Sequence, residues 1–217
     1  MTVSIDSCLI EPLVTGRAAA RRRKVIDTAR LLFSDNGFHA TGIAQIAKQS
    51  GVAVGQIYRD FASKEEIVAA IAHSDCASFM AGESLKEAVA RGDSASVRAW
   101  IHSFVDPEEK ADDGRMFAEI LAESSRNERI ARIFTAVQDE ARTNMITALS
   151  LFAPGAEMSA RRTNLADTIL TLSLGLIHHR LMHRNTDMAA LTASLTAIVD
   201  RELASLQESG AQSAAAA

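Results

Sequence analysis

Gln56, Tyr58 and Arg59 stand within four positions of one another, and each carries a group able to meet nucleic acid: a carboxamide with donor and acceptor, a phenol, and a guanidinium fork. They fall on a short run that begins at Val54 and holds Ile57 and Phe61 on an apolar face at helical spacing. Just upstream, Ile43, Ile46 and Ala47 share one face of another helical run, and Gly51 interrupts the pattern between the two. A glycine just past a helix end takes the positive φ that side chains resist. Ala47 is small enough for close helix approach, and Gly55 places no side chain at the start of the second run. Two short helices meeting across a glycine turn have the layout of a helix-turn-helix, in which the first helix braces the second and the second offers its outer face to the major groove. Taken alone, the pattern fits an ordinary αα-corner in a bundle equally well.

A second group with chemical potential is His178, His179, Met182 and His183, because His179 and His183 share a helix face at i and i+4. No cysteine or carboxylate completes a ligand set at that spacing, so these read as solvated or interface histidines and no metal site is expected. The chain has no nucleophile elbow, P-loop, dinucleotide fingerprint or paired metal motif. The expectation is therefore a protein that is not an enzyme and uses no cofactor. Cys8 and Cys76 lie far apart in sequence, which argues against a disulfide and fits a reducing cytoplasm; Cys76 reads as a small core residue. The N-terminus has no basic region ahead of an apolar run, and Asp6 and Glu11 intrude, so no secretory signal is expected. No stretch reaches the roughly 18 uncharged apolar residues that span a bilayer.

The elements that must position these residues are helical. Hydrophobic residues make up 47% of the 217, only 5% are aromatic, and three prolines are present, a balance that favours an all-α protein with enough chain to bury a core. The formal net charge of −4 looks wrong for a nucleic-acid binder until it is located. From Arg17 to Lys64 nine Lys or Arg face three acids, a net of +6, whereas residues 65–217 carry 14 basic against 22 acidic groups, a net of −8. A basic end that displaces phosphate counterions, joined to an acidic body that DNA repels, gives orientation as well as affinity.

The run Gly51-Val-Ala-Val-Gly-Gln-Ile-Tyr-Arg-Asp-Phe-Ala-Ser-Lys-Glu65, preceded by Ile46-Ala47 and by Ala29-x-x-Leu-Phe-x-x-x-Gly-Phe38, resembles the N-terminal domain of the TetR family of transcriptional repressors. The resemblance covers residues 22 to 70, with several spaced elements agreeing in order and separation. The chain departs from the pattern at Gly42 and Ala53, where such sequences usually carry Ser or Thr caps, and at Asp60, where the family's Tyr-x-His-Phe has histidine. Replacing a Ser or Thr cap by Ala costs about 0.5 to 2 kcal/mol, and by Gly less. At the matched positions the resemblance implies that Gln56 and Tyr58 face the groove, that Val54 touches a thymine methyl beside Gly55, and that Thr41, Gln45, Tyr58, Arg59 and Lys64 contact phosphates. Asp60 is expected to face away from phosphate or to cap a neighbouring group.

In chain order, residues 1–18 have no sustained period and read as a poorly ordered arm. Residues 19–66 form the three-helix helix-turn-helix domain. Its first helix opens with Arg17, Arg21, Arg22, Arg23 and Lys24, which the helix macrodipole disfavours there, so their placement makes more sense if phosphates neutralise them. Gly37 is expected to close that helix as a left-handed Schellman cap, with Phe38 folding back on Phe33. Ser63-Lys-Glu-Glu66 reads as a capping box opening a long fourth helix to about Arg91, which passes Phe79 and acts as a rigid lever. Residues 67–208 form the effector-binding and dimerisation domain, with a loop across 108–114, breaks at Pro107 and Pro154-Gly155, and two last helices over 159–184 and 187–207. Residues 209–217 read as an unstructured tail of small residues, and the total is about nine helices.

The expected function is a homodimeric, cytoplasmic, ligand-responsive repressor on a palindromic double-stranded operator. Its two last helices pair with those of a second copy as a four-helix interface. An apolar or amphipathic small-molecule effector would sit among Trp100, Phe104, Met116, Phe117, Phe134 and Met145, although such residues at helical spacing also serve as plain core. The alternatives are a dimeric DNA-binding regulator without a ligand and a helical enzyme. No membrane association is expected.

Overall fold

The computed structural model describes residues 16–76, 82–106, 113–183 and 187–215. Ten α-helices and no strands are present among them: α1 (Arg17–Asn36), α2 (Ile43–Ser50), α3 (Val54–Asp60), α4 (Lys64–Cys76), α5 (Gly82–Ala90), α6 (Ser94–His102), α7 (Asp113–Ser124), α8 (Glu128–Ser150), α9 (Ser159–Met182) and α10 (Met188–Ala215). The fold class is all-α, as the composition predicts. The described residues of the run expected to be one helix from Ser63 to Arg91 form α4 and α5, and whether these join falls on residues 77–81, outside the described residues. Expectations for residues 1–15, 77–81, 107–112, 184–186 and 216–217, including Cys8, Phe79 and Pro107, lie outside the described residues, as does that for the Cys76 side chain. Residues 113 and 114, expected in a loop, begin α7.

The chain divides into two compact units, one ending at Ile71 and the other beginning at Ala72, a little beyond the division after Glu66 that the sequence suggests. In the first unit, Val25, Ala29 and Phe33 of α1 are fully buried, as are Ile46, Ile57, Phe61 and Ile67, the residues that recur at three- and four-residue spacing. Gly37 ends α1 with φ 84° and ψ 159°, and its N–H donates to the Phe33 carbonyl at 2.9 Å. Positive φ requires glycine there, but this ψ is not the left-handed conformation of a Schellman ending. The expected packing of Phe38 on Phe33 is present, with ring centroids 5.6 Å apart. At the start of α4 the Glu66 N–H donates to Ser63 Oγ at 3.4 Å, while the Glu66 carboxylate accepts from the Ala62 N–H at 2.7 Å, one residue upstream of a reciprocal capping box.

The second unit has a core assembled from α5, α6, α8, α9 and α10, including Leu85, Val97, Ile101, Met145, Leu149, Ile169, Val199 and Leu203. Asp93 caps α6 by accepting from the Ser96 N–H, and Asn127 caps α8 by accepting from the Arg129 and Ile130 N–H groups. Arg162 donates to the Ala153 and Gly155 carbonyls at 2.6 and 2.7 Å, which pins the turn around Pro154. Helix α10 continues through residues 209–215, where the sequence suggested an unstructured tail. Alanine-rich sequence is the best of helix formers, Arg161 hydrogen-bonds Ser209, and a Cβ added to Gly210 would lie 3.2 Å from the Ala153 Cβ, so this last stretch packs closely.

Candidate nucleic-acid interface

The turn between α2 and α3 is built by Gly51, which adopts the left-handed conformation with φ 66° and ψ 19°. Ser50 supports it from a buried position: its hydroxyl oxygen accepts from the Val52 N–H at 3.3 Å. Helix α3 is seven residues long and has no side-chain cap at Ala53. A helix so short is not stable alone, so its anchor must be tertiary. Ile57 and Phe61 supply it, at 0% and 1% exposure, and helical geometry then turns Val54, Gly55, Gln56, Tyr58 and Arg59 outward. Val54 is 41% and Tyr58 56% exposed. Gln45 of α2 is half-buried.

Two other residues drawn into the interface by resemblance are placed differently. Thr41 is fully buried, its hydroxyl 3.1 Å from the Leu32 carbonyl and 2.9 Å from that of Gly37, so its one proton is committed inside the fold. Lys64 donates to the Phe38 and Thr41 carbonyls at 2.6 and 3.0 Å, and its ammonium lies 3.9 Å from the Phe38 ring centroid. In this structure both side chains close the segment between α1 and α2 instead of pointing outward.

The basic cluster at the start of α1 is also divided. Arg21 makes a bidentate pair with Asp60, both N···O distances being 2.7 Å, and Arg22 donates to the Asp60 carbonyl at 2.6 Å with its guanidinium 4.2 Å above the Phe61 ring. Arg17, Arg23 and Lys24 remain exposed. The hydrogen bonds from Arg21 hold the Asp60 carboxyl below the usual carboxylate value against the opposing effect of burial, with further help from the charges of Arg21, Arg22 and Arg59. The Arg21 guanidinium is correspondingly raised by the same bond. Asp60 does cap a neighbouring group, as expected; the missed part is the identity of its partners, 39 and 38 residues away.

The six side chains considered for an effector fall into two groups. Phe104 and Met145 belong to the core of the second unit, and Trp100 packs on that core with its ring 4.9 Å from Phe104. Phe117 and Phe134 pair at 5.5 Å, and Met116 is buried. A cavity of about 790 Å³ lies instead beside α9 and α10, lined by Asp106, Leu176, Arg180, Met188, Thr192 and Asp200 among others, and by none of the six. Asp200 there accepts from Arg98 at 2.6 Å and lies 3.0 Å from His102 Nε2. Partial burial raises the Asp200 carboxyl, but these two partners outweigh it and leave it lowered. Among the described residues no cluster of three metal-binding side chains occurs and no helix is long and apolar enough to cross a membrane.

Residues 25–71, the segment that carries this glycine turn and exposed short helix, match the model of the bacterial regulatory proteins of the tetR family. These residues form a TetR-type N-terminal domain. Within that domain the chain is 36% identical over 58 residues to the HTH-type transcriptional regulator UidR of Escherichia coli K12, covering 27% of this chain and 30% of UidR. It is 38% identical over 55 residues to the HTH-type transcriptional repressor KstR2 of Mycobacterium tuberculosis H37Rv, covering 25% and 28%. The TetR-type match thus spans less than a third of either relative's length. The fold as a whole is similar to that of the regulator FadR from Bacillus subtilis in complex with stearoyl-CoA, with a TM-score of 0.61 at 19% identity over 82% of this chain and 96% of that one.

Proposed function

We propose that the protein is a homodimeric TetR-type transcriptional regulator, a repressor, that binds a palindromic operator and is released by a small-molecule effector. The observation that carries this reading is the exposed face of α3, where Val54, Gly55, Gln56, Tyr58 and Arg59 stand clear of a core that holds Ile57 and Phe61. Gln56 supplies a donor and acceptor suited to a base edge, Val54 an apolar contact for a thymine methyl, and Tyr58, Arg59 and Gln45 of α2 would reach phosphates. Two copies place two such helices about 34 to 36 Å apart, one turn of duplex. On α9, Leu174 is 37% and Met182 66% exposed, and a Cβ at Gly175 would meet nothing within 4 Å, which supports α9 and α10 as the surfaces that pair in the dimer.

The effector unit extends from residue 67 to 208 and the reading domain from 19 to 66 in this proposal, and the chain acts in the cytoplasm without catalysis. The stearoyl-CoA held by FadR supports an amphipathic effector, and the cavity beside α9 and α10 gives a polar end a place among Asp106, Arg180 and Asp200. An effector works only through differential binding: moving the population from 1:99 to 99:1 takes about 5.5 kcal/mol between the two conformations. The test is selection of duplexes from a random-sequence pool by the purified protein, followed by titration of the enriched duplex with wild type and Tyr58→Ala. We expect an inverted repeat, a binding constant weakened about tenfold or more by the substitution, and an unchanged melting temperature. Enrichment of no sequence, or equal binding by both proteins, would overturn the reading.

A further inference from the structure

Two successive arginines of α1 converge on the last residue of α3. Arg21 grips the Asp60 carboxylate through Nε and Nη2 at 2.7 Å each, and Arg22 takes the Asp60 carbonyl at 2.6 Å while stacking over Phe61. A single contact would fix a distance, but a fork-to-carboxylate pair also fixes a plane, and the carbonyl bond beside it fixes the backbone to which that carboxylate is attached. At the far end of α3 Ala53 offers no capping side chain, and the tie there is the Gly51 turn, which Ser50 supports through the Val52 N–H. Rotation of α3 about its own axis is therefore limited by Ile57 and Phe61 in the core and by this arginine clamp at the C-terminal end.

We propose that Asp60 and Arg21 are a positioning pair that sets the roll of α3 on α1, and thereby governs discrimination between operator sequences more than strength of binding to duplex DNA. This inference rests on the reading of α3 as the base-contacting helix. It has an unusual sign. Asp60 is an anion on the basic end of the chain, and its partner is a cation withheld from phosphate, so the pair works against general affinity for a polyanion. Removing the anion should raise binding to any duplex; if Asp60 were only an electrostatic brake, binding to the selected duplex would rise in the same proportion and the ratio of the two affinities would not change. If the pair positions the helix, the ratio falls. A bidentate fork is also what Lys cannot reproduce, although it keeps the charge.

The experiment measures fluorescence anisotropy over a salt series with the duplex enriched by wild type and with a scrambled duplex of equal length. For Asp60→Asn we expect tighter binding to the scrambled duplex, a salt slope steeper by about 0.9 as one more cation reaches phosphate, and an affinity ratio reduced about tenfold. Arg21→Lys should lower the ratio with its salt slope close to that of wild type. Asp60→Glu, which keeps a carboxylate within reach of Arg21, should recover part of the ratio lost in Asp60→Asn. Amide hydrogen exchange from Ile57 to Phe61 in the free protein should quicken in Asp60→Asn and Arg21→Lys. A wild-type ratio in both of these variants, or unchanged exchange in both, would overturn the positioning role while leaving α3 as the reading helix. Failure of wild type to enrich any duplex would instead overturn the functional reading beneath it.

Discussion

In the unit that ends at Ile71, Arg21, Arg22 and Lys64 reach to carbonyls and a carboxylate that join α1 to α3 and close the segment after Phe38. In the unit that begins at Ala72, Arg98 and Arg142 pair with Asp200 and Asp167, acids in the middle of long helices whose positions are already fixed by a continuous apolar core. The same residue types therefore serve different purposes. A small domain buries a smaller fraction of its surface, and polar ties between distant segments then carry a larger share of its order. A larger core leaves its charged pairs as lateral contacts near the surface, where such pairs contribute little.

Core truncations test this difference most strongly. Ile57→Ala and Met145→Ala should each cost about 2 to 5 kcal/mol in the unit that contains them. Trp100, the single tryptophan, packs on the second core, so its fluorescence follows that unit alone. We expect Met145→Ala to shift the fluorescence transition, and Ile57→Ala to lower the melting midpoint seen by circular dichroism at the first transition while leaving the fluorescence transition in place. Identical shifts by both probes in both variants would break the distinction between the units.

Polar ties come next. Lys64→Ala removes two donors from the Phe38 and Thr41 carbonyls and should cost about 1 to 3 kcal/mol. Arg142→Ala, which breaks a bidentate pair with Asp167 at 2.5 and 2.9 Å on a solvent-exposed face, should leave the melting temperature almost unchanged. Equal losses in a thermal melt would mean that burial and reach do not separate these two kinds of tie.

The smallest effect is the acid dependence of the first unit. The folded Asp60 carboxyl binds its proton less readily than in the unfolded chain, so the pair's contribution is complete above the ordinary carboxylate value of 3.8 and is lost as the pH falls through the lower folded value. Asp60→Asn should therefore flatten the acid limb of the stability curve below about pH 4 and leave its shape at neutral pH unchanged. A parallel acid limb in wild type and variant would show that the pair adds nothing to stability there.

Where the sequence was legible, short-range physics did the work. Ile43, Ile46, Ile57 and Phe61 recur at helical spacing, Gly51 takes the positive φ that ends α2, and Ser63 begins α4, all features settled within a few residues of themselves. The Gly37 ending shows the limit of such reading: glycine was required, but the backbone took an extended ψ because Phe38 packs on Phe33 and Thr41 reaches back to the Gly37 carbonyl. The same limit applies to Ser209 through Ala215, whose composition suggests disorder until Arg161 and Ala153 provide neighbours.

Periodicity and turn residues by themselves determined that this chain is helical and that Val54 to Asp60 presents a polar face away from Ile57. Tertiary structure alone decided that Thr41 and Lys64 turn inward, that Arg21 and Arg22 meet Asp60, and that a cavity beside α9 is lined by Asp106, Arg180 and Asp200. Local conformation depends on near neighbours in the chain, whereas the partner of a charged or hydroxyl group is chosen by whichever segment folding brings within about 3 Å of it.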